Sequence, residues 1–181
     1  MNRVRIIGGT FRSRVLRFPD VEGLRPSPDR VRETLFNWLG QNLAGLACLD
    51  LFAGSGALGF EALSRHAESV VMVERNREAY AALEANAKAL GASGLQLVCA
   101  DAIEWICAPQ RRQEPHYDVV FVDPPYRSGM LPAVLQKLPG LLNPGARVYA
   151  ESAEKFAQAG YKAIRSARAG QVHYQLLQQS E

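Results

Sequence analysis

Five short, mostly apolar runs recur along the chain, and helical patterns fill the gaps between them. The runs are Leu46 to Leu51, Ser69 to Glu74, Leu95 to Ala100, Tyr117 to Asp123 and Ala146 to Glu151. Runs of this length with little polar alternation are the pattern of strands buried on both faces. Between them, Ala57 to Arg65 carries Leu58, Ala62 and Leu63 at helical spacing, and Asn76 to Leu90 is alanine-rich and ended by Gly91 and Gly94. A short helix is predicted from Asp101 to about Cys107, then a charged loop over Gln110 to His116. A helix from Ser128 to Leu138, interrupted near Pro132, follows. Gly160 to Ala167 and Val172 to Gln178, joined across Gly170, read as a closing antiparallel pair. Strands alternating with helices predict an α/β fold: a mostly parallel seven-stranded sheet, Rossmann-like, with helices on both faces.

The front of the chain has a different texture. Val4 to Ile7 alternates weakly into Gly8-Gly9, a hairpin-turn signal. In Thr10 to Phe18, Arg12 and Arg14 then alternate with Phe11 and Val15. This predicts a small arginine-faced β-hairpin, with a flexible basic tail as the bland alternative. Leu24-Arg25-Pro26-Ser27-Pro28 is a stiff crossing, because proline disfavours helix in the residue before it. Ser27 is placed to cap a helix and Pro28 to begin it. That helix, Asp29 to about Asn42, puts Val31, Leu35, Trp38 and Leu39 on one face. The expected organisation is one domain over residues 1–181, with residues 1–25 as a basic RNA-binding extension.

Charge sharpens this division. The net charge is only +3, yet residues 1–32 hold eight arginines against three carboxylates, and the remainder is slightly acidic. Arginine forks match phosphate and stack on bases, so Arg3, Arg5, Arg12, Arg14 and Arg17 are candidate RNA contacts. No apolar run approaches a membrane span, and no signal core follows the amino terminus, which points to the cytoplasm. Cys48, Cys99 and Cys107 read as small buried residues in a reducing compartment. His66, His116 and His173 show no metal-ligand spacing, so no metal is expected.

The strand ends carry the chemistry. Asp50, Glu74, Asp101 and Asp123 each follow or close a predicted strand, at the edge where parallel sheets bind ligands. One strand-end acid is commonly a helix cap, and Asp101 alone fits that role. Four in equivalent places exceed what capping requires. Gly54-Ser55-Gly56-Ala57-Leu58-Gly59 satisfies the dinucleotide fingerprint, with Glu74 where a ribose-binding acid should fall. Gly54 and Gly56 let the backbone approach a ligand. The fingerprint alone does not separate a nicotinamide enzyme from one using S-adenosylmethionine. Asp50 tips the balance, since a carboxylate there suits an ammonium group and would repel a pyrophosphate.

Asp123-Pro124-Pro125-Tyr126 is the most specific short string. Two prolines remove backbone donors and leave carbonyls to accept, Asp123 adds a carboxylate, and Tyr126 offers an aromatic face. Such a pocket grips an exocyclic amine while the ring stacks on the base. The glycine loop and this string together resemble the amino-group methyltransferases of nucleic-acid bases. Two further strings are Arg5-Ile6-Ile7-Gly8-Gly9-Thr10-Phe11-Arg12-Ser13-Arg14 and Leu24-Arg25-Pro26-Ser27-Pro28-Asp29-Arg30-Val31-Arg32-Glu33-Thr34-Leu35-Phe36-Asn37-Trp38-Leu39. With these, nearly the whole chain resembles the bacterial family that methylates a guanine N2 in small-subunit (16S) ribosomal RNA.

The resemblance implies one methyl per guanine (family-type target, guanine 966), S-adenosylmethionine as cofactor, and a monomer acting on an assembled or nearly assembled subunit. It also implies residue roles. Asp50, Phe52, Ala53, Gly54, Ser55 and Gly56 would face the methionine part of the cofactor, Glu74 the ribose, and Asp101 with Ala102 the adenine. Arg25 and the helix around Phe36 would close over it. Asp123 and the Pro124 carbonyl would bind the guanine amine, with Tyr126 against the base, and Pro125 would complete the catalytic set. Three rivals remain at this point. A DNA adenine-N6 methyltransferase can carry Asp-Pro-Pro-Tyr but usually needs an added recognition region. A nicotinamide oxidoreductase leaves Asp123 to Tyr126 without a task. A non-enzymatic RNA-binding module does not explain four strand-end acids.

Overall fold

A computed structural model describes residues 1–109, 116–125 and 128–180. The apolar runs form the strands of one sheet: β3 (Ala47–Asp50), β4 (Ser69–Glu74), β5 (Leu95–Cys99), β6 (Tyr117–Val122) and β7 (Leu142–Ser152). The closing pair is β8 (Tyr161–Ala169) and β9 (Val172–Gln179), and the strand order is β5-β4-β3-β6-β7-β9-β8. β3 pairs in parallel with β4 on one side and β6 on the other, while β9 is antiparallel to both β7 and β8. The order reverses between β3 and β6, which makes that crevice the topological switch point.

Period-two alternation explains why the runs read as continuously apolar. Cys48, Val70, Met72, Val119 and Phe121 point to one face, where they pack with α1 (Asp29–Leu39), α2 (Ala57–Ser64) and α3 (Arg77–Leu90). Leu49, Val71, Val73, Val120 and Val122 point to the other, against α4 (Ala102–Cys107) and α5 (Leu131–Lys137). Both faces are covered, so both sets must be apolar. Among the described residues, no helix is long and apolar enough to cross a membrane.

The front of the chain forms the expected hairpin, but with a different connection. β1 (Asn2–Arg5) pairs antiparallel with β2 (Val15–Phe18), but residues 6–14 form a long loop. Gly8-Gly9 is not its tight turn. The loop is instead bolted to α2: the Ile7 and Gly8 N–H groups donate to the two Glu61 oxygens at 2.8 Å each, and Phe11 N–H donates to Ser64 Oγ at 2.8 Å. A Cβ on Gly9 would fall 1.7 Å from the Ser64 carbonyl oxygen, so close backbone approach requires the glycine. Val4, Leu16 and Phe18 are buried in the same core as α1 to α3, so the hairpin is packed onto the domain.

Local corrections follow the same logic. α1 is preceded by Pro28 rather than Ser27 at the cap, because the Ser27 hydroxyl donates to Glu151 instead. It ends at Leu39, where Gly40 turns left-handed, three residues short of Asn42. Trp38 is only partly buried, while Arg32 and Phe36 join the buried face. Pro132 sits in the first turn of α5 and interrupts nothing, since no helical N–H is required there. Cys48 is buried as expected, but Cys99 and Cys107 are exposed. The expected loop Gln110 to His116 lies outside the described residues except for its last member.

Candidate active site

β3, β4, β6 and β7 deliver one carboxylate each to the carboxyl edge of the sheet, and these open into a single cavity of about 840 Å³. Asp50 closes β3 beside Phe121 of β6, so Asp123 stands just beyond it across the switch point. Asp50 is nearly inaccessible to solvent. Its Oδ2 accepts the Gly59 N–H of α2 at 3.1 Å. Burial, with the Glu74 charge adding to it, pushes its carboxyl up to about 7, against the lowering effect of the Gly59 and Phe52 N–H bonds. Asp123 keeps some exposure to the cavity. Desolvation, then the Glu151 and Asp50 charges, hold it well above the ordinary carboxylate range.

Glu74 shapes the glycine loop as well as lining the cavity. Its Oε2 accepts the Gly54 N–H at 2.8 Å and its Oε1 the Asn76 N–H at 2.7 Å. Each carboxylate oxygen can accept a further donor beyond this one. The three fingerprint glycines divide their work. Gly54, with φ of 50°, lines the cavity, and a Cβ there would meet nothing closer than 3.7 Å. Gly56 does not line it: a Cβ would lie 2.6 Å from the Phe60 ring and 2.7 Å from Leu83. At Gly59 a Cβ would lie 2.3 Å from the Met72 Cε. Close approach to a ligand therefore belongs to Gly54 alone, and the other two serve turn and helix packing.

Phe52, Ala53, Ser55, Arg25, Ala102, Pro124 and Pro125 also line the cavity. Asp101 lines it too, while its Oδ1 caps α4 by accepting the Ile103 and Glu104 N–H groups at 2.9 and 3.3 Å. Phe36 is misplaced by the sequence reading. It is fully buried between the sheet and α2, its ring 6.1 Å from that of Phe121 and 4.8 Å from the Arg65 guanidinium carbon. Its position on α1 at i+4 from Arg32 turns it inward, away from the cavity. Of the two proline carbonyls, Pro125 accepts the Ser128 N–H at 3.0 Å, so among the described residues Pro124 is the one left open to backbone donors. Tyr126 lies outside the described residues.

Glu151 is the acid that sequence reasoning missed, although it ends the fifth predicted strand just as the other acids end theirs. Its Oε1 accepts Ser27 Oγ–H at 2.5 Å and the Tyr149 hydroxyl at 2.6 Å. Burial and that carboxylate push the Tyr149 phenol well up, keeping it a donor. Ser27 thereby ties residues 21–28, which line the cavity, to the carboxyl edge of the sheet.

The arginines lie elsewhere. Arg3, Arg5, Arg12, Arg14 and Arg17 are all exposed. Arg3 stands directly opposite Arg17 in the hairpin register, on the face away from Val4, Leu16 and Phe18. Like charges set opposite each other destabilise a ribbon unless an anion shares them. Arg14 is partly committed, donating to the Ala89 carbonyl at 2.7 Å.

Comparison with known proteins matches this architecture. Residues 4–178 match the family described as Conserved hypothetical protein 95. Ribosomal RNA small subunit methyltransferase D of Escherichia coli is 42% identical, over 97% of this chain and 90% of its own. The protein of the same name from Haemophilus influenzae is 38% identical over 97% of this chain and 93% of its own. A solved structure of a candidate methyltransferase from Escherichia coli superposes with a TM-score of 0.87 at 41% identity, covering 98% of each chain. Near-complete coverage in both directions, on a sheet whose switch point carries the acids and the Asp-Pro-Pro string, leaves one assignment: the chain belongs to the ribosomal RNA small subunit methyltransferase D family.

Proposed function

We propose that this protein methylates the N2 amine of a guanine in small-subunit ribosomal RNA, using S-adenosylmethionine. One observation carries the reading: Asp50 and Asp123 face a common cavity across the switch point, one beside the glycine loop and the other beside the Pro124 carbonyl. The residues fit the cofactor. A cavity lined by five strand-end carboxylates favours a ligand bearing ammonium and sulfonium charges. Gly54 leaves room where such a ligand would lie, and Glu74 presents two oxygens already oriented by backbone N–H bonds. Asp50 would hold the ammonium, Glu74 the ribose hydroxyls, and Asp101 with Ala102 the adenine side.

S-adenosylmethionine, when bound, supplies a methyl on a positively charged sulfur. The protein's own contribution is to place and polarise the amine. A guanine amine is a poor nucleophile, because its lone pair is delocalised into the ring. The Pro124 carbonyl and Asp123 accept its two N–H groups and so favour the pyramidal nitrogen on which positive charge grows. Together they would hold the nitrogen for in-line attack on the methyl, which a reactive geometry requires at roughly 3–3.5 Å. Methyl transfer would break the methyl–sulfur bond, leaving a neutral thioether, as the N–C bond forms, and one N–H proton must then leave the nitrogen. Asp123, whose proton affinity is raised by burial and by the neighbouring Glu151 and Asp50 carboxylates, is the group placed to take it.

The outward face bearing Arg3, Arg5 and Arg17 is the RNA-facing side in this reading, and the packed hairpin holds it rigidly relative to the cavity. The test is single-turnover methylation of small subunits prepared without the modification, with the product nucleotide mapped. N2-methylguanine at one position supports the reading. Methyl transfer to adenine in duplex DNA, with none to the subunits, would replace it.

A further inference from the structure

We propose that Glu151 reads the Watson–Crick edge of the target base and makes this cavity a guanine site rather than an adenine site. The inference rests on the base-methylating reading of the cavity and extends it to the choice of base. Val122 of β6 pairs in parallel with Ala150 of β7, so Asp123 and Glu151 each stand one residue beyond a paired position, side by side on the sheet edge. Both line the cavity, and Glu151 is the strongest charge acting on Asp123. A lone catalytic acid has no need of a second carboxylate beside it. Two adjacent donors on a substrate do.

The geometry of Glu151 is fixed from behind. Ser27 Oγ–H and the Tyr149 hydroxyl both donate to Oε1, and those two side chains are 7% and 0% exposed. Among the described residues, no protein donor reaches Oε2. One oxygen thus holds the side chain in place, and the other has no donor among the described residues, on a side chain that lines the cavity. Guanine presents N1–H and the N2 amine as neighbouring donors along one edge. With Asp123 and the Pro124 carbonyl on the amine, the adjacent carboxylate meets N1–H. Adenine, turned to present its amine, places a bare N1 acceptor there, and two acceptors face to face repel. Asp-Pro-Pro alone holds any exocyclic amine, so base choice must come from a neighbour, and Glu151 is the neighbour with the right polarity.

The test separates reading from anchoring. 2-Aminopurine keeps the N2 amine but carries N1 as an acceptor. Small subunits reconstituted with either guanosine or 2-aminopurine riboside at the methylated position are compared by kcat/KM. Wild-type protein prefers guanine by about 10²-fold or more, since a buried acceptor is left without its donor. Glu151→Gln keeps Oε1 for Ser27 and Tyr149 and turns an N–H donor toward the cavity. It narrows that preference by about tenfold or more, losing rate on guanine and gaining on 2-aminopurine. Ser27→Ala loosens the anchor without changing the charge, and retains the wild-type ratio. Equal use of both bases by wild-type protein would overturn the inference, as would an unchanged ratio in Glu151→Gln or the same narrowing in Ser27→Ala. Wild-type protein inactive on guanosine subunits would overturn the functional reading itself, a result distinct from either of those.

Discussion

In the proposed reading, Asp50 ties cofactor binding to pH in a way that can be counted. In the empty protein, burial holds its carboxyl at about 7, so at pH 5.5 only about 3% is ionised and at pH 7 about half. An ammonium ion at ordinary ion-pair distance, about 4 Å, contributes roughly 4 kcal/mol at an effective dielectric of 20, which lowers that pKa by about three units. The bound site is therefore ionised throughout, and binding at pH 6 expels close to one proton from Asp50. The sign follows: affinity rises about fifteenfold from pH 5.5 to 7 and then flattens as far as Asp50 is concerned. Calorimetry in two buffers of different ionisation enthalpy gives both the affinity and the proton count. Asp50→Asn weakens binding and removes about one proton from the count. Folding stability moves the other way, because the folded pKa lies above the unfolded value near 3.9. Wild-type protein loses about 2–3 kcal/mol between pH 5 and 8 that Asp50→Asn does not lose. Affinity independent of pH across this range, with no proton released, would remove Asp50 from the cation site.

The other predictions concern separate parts of the molecule. Asp123→Ala lowers single-turnover methylation about 10²-fold or more while S-adenosylmethionine still binds, and near-normal rates would place the amine's acceptor elsewhere. Glu74→Ala loses the oxygens that orient Gly54 and Asn76 together with the ribose hydrogen bonds, weakening cofactor affinity about tenfold or more in a titration. Arg3→Ala with Arg17→Ala reduces the salt slope of RNA binding by about 0.7–0.9 for each phosphate no longer neutralised and leaves cofactor affinity alone; an unchanged slope would take the hairpin face off the RNA. Gly9→Ala forces a Cβ into the Ser64 carbonyl at a positive φ, and chemical denaturation should show a loss of about 3 kcal/mol or more.

The sheet was legible because each of its buried strands is apolar on both faces and ends in an acid, so pattern and chemistry coincide. β4 needs no adjustment at all, from Ser69 to Glu74. What a linear reading obscured was any residue whose partner is distant in sequence. Ser27 looks like a helix cap until Glu151, 124 residues away, takes its hydroxyl. Gly8-Gly9 looks like a hairpin turn until Ser64 is found against it, and Gly56 looks like a ligand contact until Phe60 and Leu83 fill the space. Phe36 sits among arginines in a string that suggests function, yet its helical phase turns it into the core. Glu151 was missed for a simpler reason. Its strand reads as the fifth of the series, and applying the strand-end rule once more would have found it.

The same distant pairings explain why α2 is buried at every position despite carrying Glu61. A carboxylate at zero exposure would cost several kcal/mol if left unpaired. Here the Ile7 and Gly8 N–H groups, the Arg65 guanidinium at 2.8 Å and the Arg32 guanidinium at 3.4 Å share it. Arg32 in turn donates to the Arg5 carbonyl at 2.9 Å, so the network reaches β1 itself. At its other end α2 grows out of the glycine loop, and its Gly59 N–H is held by Asp50. A single rigid helix therefore fastens the arginine-bearing loop at one end and the acid-lined cavity at the other. Breaking a buried pair of this kind typically costs 3–5 kcal/mol, more than a surface loop could be worth as a tether. In the reading proposed above, this network would hold the arginine face at a fixed distance from a base bound in the cavity.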